Sequence, residues 1–133
     1  MDLQTQYGWA FKYVTAGLTL EYNPFFNFSK PGASAGAFHF AGFVFHRWQV
    51  SEKIGLRFEI SFGGSVLLFD IYSYSKGDVG MVAGLKALGL DIKMSRRFTL
   101  CVDLLDMILP VYHIDTFPFV YPQLRWSVGF SFN

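Results

Sequence analysis

The segment 123–132 alternates strictly between large apolar residues and small or polar ones. Its apolar positions are Leu124, Trp126, Val128, Phe130 and Phe132. Its intervening positions are Gln123, Arg125, Ser127, Gly129 and Ser131. Successive side chains of a β-strand point to opposite faces, so this pattern predicts a strand with one apolar face and one polar face.

Five further segments behave in the same way and predict an antiparallel all-β fold. They cover about 7–22, 33–50, 54–74, 79–94 and 98–110. A helix over 82–94 is the competing interpretation of the fourth segment, because alanine, leucine and lysine are good helix formers. We favour a strand, since Gly84 and Gly89 weaken a helix and 88–94 alternates strictly.

Two of these segments change phase in the middle. Phe38 and Phe40 share one parity, whereas Phe43 and Phe45 share the other. A β-bulge adds one residue and shifts the phase of a strand, so a bulge near 41–42 would place all four on one face. A second bulge near Ala87 would reconcile the two halves of 79–94 in the same way.

The composition limits the possible fold classes. A chain of 133 residues predicts one domain, 1–133. Only 16% of the residues are charged, against about 25% in a typical soluble domain. No segment approaches the roughly 20 consecutive apolar residues of a membrane helix. These properties leave a membrane β-barrel or an unusually apolar soluble β-domain, and the net charge of +1 gives no indication of nucleic-acid binding.

The closing strand and the spacing of the connections resemble small bacterial outer-membrane β-barrels. Predicted long connections (23–32, 75–78, 113–118) alternate with tight turns (51–53, 95–97). Outer-membrane barrels alternate long external loops with short periplasmic turns. The resemblance implies an up-and-down transmembrane barrel in the outer membrane of a Gram-negative cell envelope, with both chain ends in the periplasm. Eight strands are expected for this class, which requires splitting two of the six runs. A six-stranded barrel and a barrel shared by several chains remain alternatives.

Residues 1–4 have neither a basic start nor an apolar stretch, so they do not form a signal peptide. An outer-membrane protein needs such a peptide for export. We therefore expect this sequence to be a mature form from which the signal peptide has been removed.

Charged residues on the predicted polar faces converge inside such a barrel. These are Glu21, Arg57, Glu59, Asp91, Lys93, Asp103 and Arg125. A charge inside a narrow lumen must be paired, because burying it alone is costly. We expect a charge network that fills the lumen, and hence a structural, anchoring or interaction role with no cofactor and no metal. In a soluble lipocalin-like carrier of a hydrophobic ligand, the apolar face would instead point inward.

Two further hypotheses concern the external loops. His113 is the one weak candidate for a catalytic residue, because small outer-membrane enzymes that modify lipid A use a histidine near the outer rim. The His-x-Ser pattern of the deacylases is absent, since Asp115 stands in the serine position. Phe25, Phe26 and Phe28 form an apolar cluster that could contact a protein partner. Membrane lipid or lipopolysaccharide is the expected surrounding, and a small channel is the remaining alternative.

Overall fold

The computed structural model describes residues 3–26, 33–71, 74–114, 117–120 and 122–132. Its eight β-segments are β1 Leu3–Ala10, β2 Thr15–Phe26, β3 Ala33–Gln49, β4 Ile54–Ile71, β5 Tyr74–Lys93, β6 Phe98–Ile114, β7 Phe117–Val120 and β8 Gln123–Phe132. All paired neighbours are antiparallel. The described residues contain no helix, so the predicted all-β class is confirmed and the helix over 82–94 is excluded.

The segments form a single sheet in chain order, curled into a half-barrel of seven strand positions. Two segments, β7 and β8, occupy one position, because both pair with β6 at different heights. The first predicted run divides at a turn over 11–14, where the Phe11 amide donates to the Val14 carbonyl at 2.8 Å. Gly63 and Gly64 lie inside the continuous strand β4 and do not form a turn. The described chain thus has seven strand positions. Because seven is odd, Leu3 lies away from the short turns and Phe132 lies beside one, so the expectation that both chain ends share one side is wrong for the described residues.

Phase changes in the sequence correspond to bulges at only some of the predicted places. The bulge at Ala87 is confirmed, because the register of β5 shifts on both sides between Lys86 and Gly89. The bulge at 41–42 is wrong, since β3 pairs without interruption with both of its neighbours. Phe43 instead points into the interior, where the bare backbones of Gly8 and Gly17 leave room for its ring. A further bulge lies in β6 between Asp103 and Asp106.

The short turns are confirmed, whereas the strands at the opposite end extend further than expected. The chain reverses at 11–14, 50–53 and 94–97, which together define the turn end of the half-barrel. The three predicted long connections are strand in part or in whole. β2 continues to Phe26, and β7 pairs with the end of β6. β5 begins at Tyr74 and therefore includes the whole predicted connection 75–78. Pro24 lies within β2 opposite Gly36 of β3, and the described pairing of β2 with β1 ends at Tyr22.

The two faces of the sheet differ sharply in chemistry. The convex face carries large apolar side chains that are mostly exposed, such as Phe62 at 64% and Leu124 at 71%. The concave face carries polar and charged side chains that are buried, such as Glu59 at 2% and Asp103 at 3%. The usual arrangement of a soluble domain, with apolar groups inside, is therefore inverted.

Small groups of apolar side chains also occupy the interior. One consists of Ala37, Leu67 and Tyr112, and the other of Ala41, Val82 and Ile108. Nearer the turn end, the rings of Phe43 and Phe45 stack with their centroids 5.9 Å apart. These groups divide the polar interior into separate levels.

Candidate functional site

The centre of the interior is a carboxylate that joins two cations. The carboxylate of Asp103 accepts a hydrogen bond from Nη2 of Arg57 at 2.6 Å. Its second oxygen lies 3.2 Å from Nζ of Lys86 and accepts a hydrogen bond from the Ser127 hydroxyl at 2.9 Å. These four residues lie on β4, β5, β6 and β8, so a single buried carboxylate links four strands.

The network continues toward the turn end through Asp91. Nε of Arg47 lies 2.5 Å from one oxygen of Asp91, and Nε of Arg57 lies 3.8 Å from the other. Both guanidinium groups also lie 5.6 Å from the ring centroid of Phe45. A guanidinium over an aromatic face gains a cation–π attraction in addition to its ion pair.

A further cation, Arg125, links strands on opposite sides of the interior. Arg125 on β8 donates to both oxygens of Glu21 on β2 and, at 2.9 Å, to the carboxylate of Asp106 on β6. Asn23 donates to Gln123 at 2.8 Å and forms a parallel link between β2 and β8. Side chains therefore cross the interior between strands that are not neighbours in the sheet.

Two glutamines of the edge strand β1 complete the network. Gln6 donates to Glu59 on β4 at 2.9 Å, and Gln4 accepts a hydrogen bond from Nζ of Lys86 at 3.0 Å. Lys86 also lies 3.6 Å from Glu59. Charges from six different strands thus belong to the network, and most of them have opposite charges or amide groups as neighbours.

Six of the seven interior charges named from the sequence belong to this network. These are Glu21, Arg57, Glu59, Asp91, Asp103 and Arg125. The seventh, Lys93, is exposed at the turn end of β5, where the strand leaves the interior. Lys93 has the same parity as Asp91, but at the turn end this face of β5 is open to solvent.

Three charged residues of the network, Arg47, Lys86 and Asp106, were missed by the sequence analysis. Arg47 was hidden by the wrongly placed bulge at 41–42, which would have turned it outward. Lys86 could have been found once the bulge at Ala87 was predicted, because before the bulge it shares the parity of Gly80, Val82 and Gly84. Asp106 was missed because the bulge after Asp103 was not recognised, although Leu104 and Leu105 stand side by side at the phase change.

A chain of buried hydroxyl and imidazole groups lies between the two apolar groups of the interior. Nδ1 of His39 lies 2.8 Å from the Ser65 hydroxyl, which in turn lies 2.5 Å from the hydroxyl of Tyr112. All three side chains are at most 2% exposed. A serine beside a histidine is a nucleophile–base pair in principle, but here both groups are sealed from solvent. The arrangement connects β3, β4 and β6.

The remaining free volume inside the network is small. A cavity of about 20 Å³ is lined by residues that include Glu21, His39, Lys86 and Arg125. This volume holds about one water molecule. Around this cavity the described interior is therefore filled by its own side chains.

The predicted loop residues lie at the limit of what the structure describes. His113 is in β6 and Phe25 and Phe26 are in β2 as far as their backbones are concerned. Their side chains, and the whole of Phe28 and Asp115, lie outside the described residues. The hypotheses that rest on them stay predictions.

Within the described ranges, no three His, Cys, Asp or Glu side chains form a group that could hold a metal ion. None of the segments described is a helix with the length and apolarity needed to cross a membrane. No family model, curated protein or solved structure matches the chain.

Proposed function

We propose that this protein is a small integral β-barrel of the bacterial outer membrane with a structural, anchoring or interaction role. Its convex face contacts lipid, and its interior network holds the sheet in a single curvature. The single observation that carries the proposal is the inverted distribution of side chains, with exposed Phe62 and Leu124 outside and buried Glu59 and Asp103 inside.

Exposed apolar side chains on this scale have a physical reason in a bilayer. Soluble monomers rarely expose contiguous apolar patches larger than a few hundred Å². The convex face instead carries apolar side chains on neighbouring strands, including Leu20, Phe40, Phe62 and Met81. Lipid tails would cover this face without cost. A soluble carrier would place these side chains around a ligand in the interior, and that interior is occupied by ion pairs.

The filled interior favours a structural role over transport. Arg57, Lys86 and Arg125 reach across it to carboxylates on other strands, and the cavity between them holds about one water molecule. Eight-stranded barrels have interiors that side chains just fill, so a network of this kind acts as packing. We infer that external loops, in contact with lipopolysaccharide or a protein partner, carry the specific function.

Reconstitution tests this proposal directly. The chain is folded into lipid vesicles, and flotation on a density gradient is combined with far-ultraviolet circular dichroism. We expect β-rich protein that floats with the vesicles and resists extraction by alkaline carbonate. A monodisperse β-rich monomer in buffer without detergent would contradict the proposal. Planar-bilayer recordings of the same sample should give no steady conductance.

A further inference from the structure

The turn end of the interior opens into a pocket that is distinct from the buried network. Its volume is about 100 Å³, and its lining includes Arg47, Gln49, Lys53, Asp91, Lys93 and Thr99. We call these residues the mouth pocket. The space admits several water molecules and is therefore large enough for one small oxyanion.

Cations dominate the mouth pocket because of the way the backbone joins its strands. The amide of Lys93 donates to the carbonyl of Lys53 at 2.8 Å, which ties the end of β5 to the turn before β4. Two lysines are thus fixed on neighbouring segments beside one cavity. Like charges on neighbouring segments repel each other, so an anion bound between them would stabilise this arrangement.

Among the described residues, Asp91 is the one carboxylate that lines the mouth pocket, and it already has partners. Asp91 lies 2.5 Å from Nε of Arg47 and 3.8 Å from Nε of Arg57. Arg47, Lys53 and Lys93 together exceed Asp91 by two positive charges. The Thr99 hydroxyl adds a neutral donor on the adjacent strand β6.

We propose that the mouth pocket binds a phosphate monoester. A phosphate monoester carries about −1.5 to −2 charges at neutral pH, which matches the excess of two cations. Its tetrahedral oxygens accept hydrogen bonds from ammonium, guanidinium and hydroxyl donors at once. The phosphate belongs either to a soluble metabolite or to a lipid headgroup that ends in a phosphate monoester, as in phosphatidic acid, in the adjacent leaflet. This inference goes beyond the proposed function and depends on the positions of the cations alone.

The test is a titration of the folded full chain in non-ionic maltoside micelles, which contain no phosphate. Glycerol 3-phosphate is added at constant ionic strength, and the amide shifts of Lys53 and Lys93 are followed by NMR. We expect saturable shifts at these two residues and none with glycerol. Shifts that rise linearly without saturation would overturn the proposal, while a β-rich spectrum in the same micelles would leave the membrane proposal intact.

Matched variants separate a built pocket from diffuse attraction. The double variant Lys53→Gln/Lys93→Gln should weaken binding about tenfold or more, because it removes two charge-assisted contacts. Arg96→Gln/Arg97→Gln removes the same charge from an exposed turn at the same end and should change affinity less than about twofold. Lys53→Arg/Lys93→Arg should retain binding. Equal losses in the first two variants would contradict the proposal.

Nanodiscs distinguish the two sources of phosphate. In phosphatidylcholine discs that also contain phosphatidic acid, a headgroup ligand would shift the Lys53 and Lys93 amides relative to discs of phosphatidylcholine alone, before any glycerol 3-phosphate is added. A soluble ligand would leave these amides unshifted until glycerol 3-phosphate is added. Either result supports the pocket, and absence of shifts in both arms overturns it.

Discussion

At the scale of single residues, Asp103 is the acceptor on which the interior network depends most. Its two oxygens hold Arg57 and Lys86, both of which are almost fully buried. Removal of one partner from a buried ion pair leaves an uncompensated charge and typically costs about 3–5 kcal/mol. We expect Asp103→Asn to lower the free energy of unfolding by that amount, measured by urea denaturation in lipid vesicles.

Ser127→Ala is the matched control for Asp103→Asn. It removes a neutral hydroxyl that donates to the same carboxylate, and the loss should be about 1.5–3 kcal/mol. Equal losses for the two variants would show that the charges of the network contribute little to stability.

Gly17 illustrates how a missing side chain positions an aromatic one. A Cβ at this position would lie 2.1 Å from the carbonyl oxygen of Tyr7 and 2.9 Å from Cζ of Phe43. Such overlap forces neighbouring strands apart, and overpacking typically costs about 1–3 kcal/mol. Gly17→Ala should therefore destabilise the protein in a thermal melt, whereas Gly42→Ala, with its nearest contact at 3.9 Å, should not. Equal melting temperatures would refute this account of the Phe43 site.

At the scale of strands, the bulge at Ala87 keeps the two halves of β5 in phase. It allows both Lys86 and Asp91 to face the interior although they differ in parity. Deletion of Ala87 would turn one half of the strand inside out, because a shift of one residue exchanges the two faces. We expect the deletion variant to fail to fold into vesicles, as measured by circular dichroism.

Ala87→Ser keeps the extra residue and serves as the control for that deletion. It should fold like the unmodified chain, because Ala87 lies at the bulge and is only partly buried. A folded deletion variant with normal stability would contradict the assigned register of β5.

The strands themselves could be predicted from the sequence because alternation is a local property. The segments 54–62 and 123–132 needed no tertiary information, and the bulge at Ala87 followed from a phase change alone. The prediction of a bulge at 41–42 was wrong because a second cause produces the same pattern. A phase change in β3 reflects inward aromatic rings rather than an extra residue, and only the glycines of two other strands make room for them. Sequence pattern does not separate these two causes.

At the scale of the whole molecule, the proposed contact of the convex face with lipid leads to a quantitative prediction. Arginine on the lipid face of a barrel costs about 2–4 kcal/mol at the bilayer midplane and about 0–1 kcal/mol near the interface. Phe62 lies at the middle of β4, and Val50 lies in a turn at the end. Both side chains are 64% exposed, so burial by protein is the same.

Phe62→Arg should therefore destabilise the vesicle-bound protein by about 2–4 kcal/mol, and Val50→Arg by less than about 1 kcal/mol. Urea denaturation in vesicles measures both. In a soluble protein two equally exposed positions would respond alike, so similar values for the two variants would contradict lipid contact.

The interior network was only partly predictable, because alternation is local whereas the pairing of charges depends on distant strands. Polar parity identified Glu21, Arg57, Glu59, Asp91, Asp103 and Arg125, but it gave no information on which cation meets which carboxylate. Those pairings depend on the curvature of the sheet, which brings β8 across to β2. Curvature arises from strand tilt and bulges together and is not encoded in any one segment.

The central claim is that the apolar convex face contacts lipid. The accessibility of each position along β8 to lipid-soluble and water-soluble reagents in a bilayer tests it most directly. Single cysteines are placed at each position from Gln123 to Phe132 in a Cys101→Ser background, spin-labelled and reconstituted into vesicles. We predict that collisions with lipid-soluble oxygen are frequent at Leu124, Trp126, Val128 and Phe130 and infrequent at the residues between them. Frequent collisions of those same four positions with a water-soluble nickel reagent would show that the apolar face does not contact lipid.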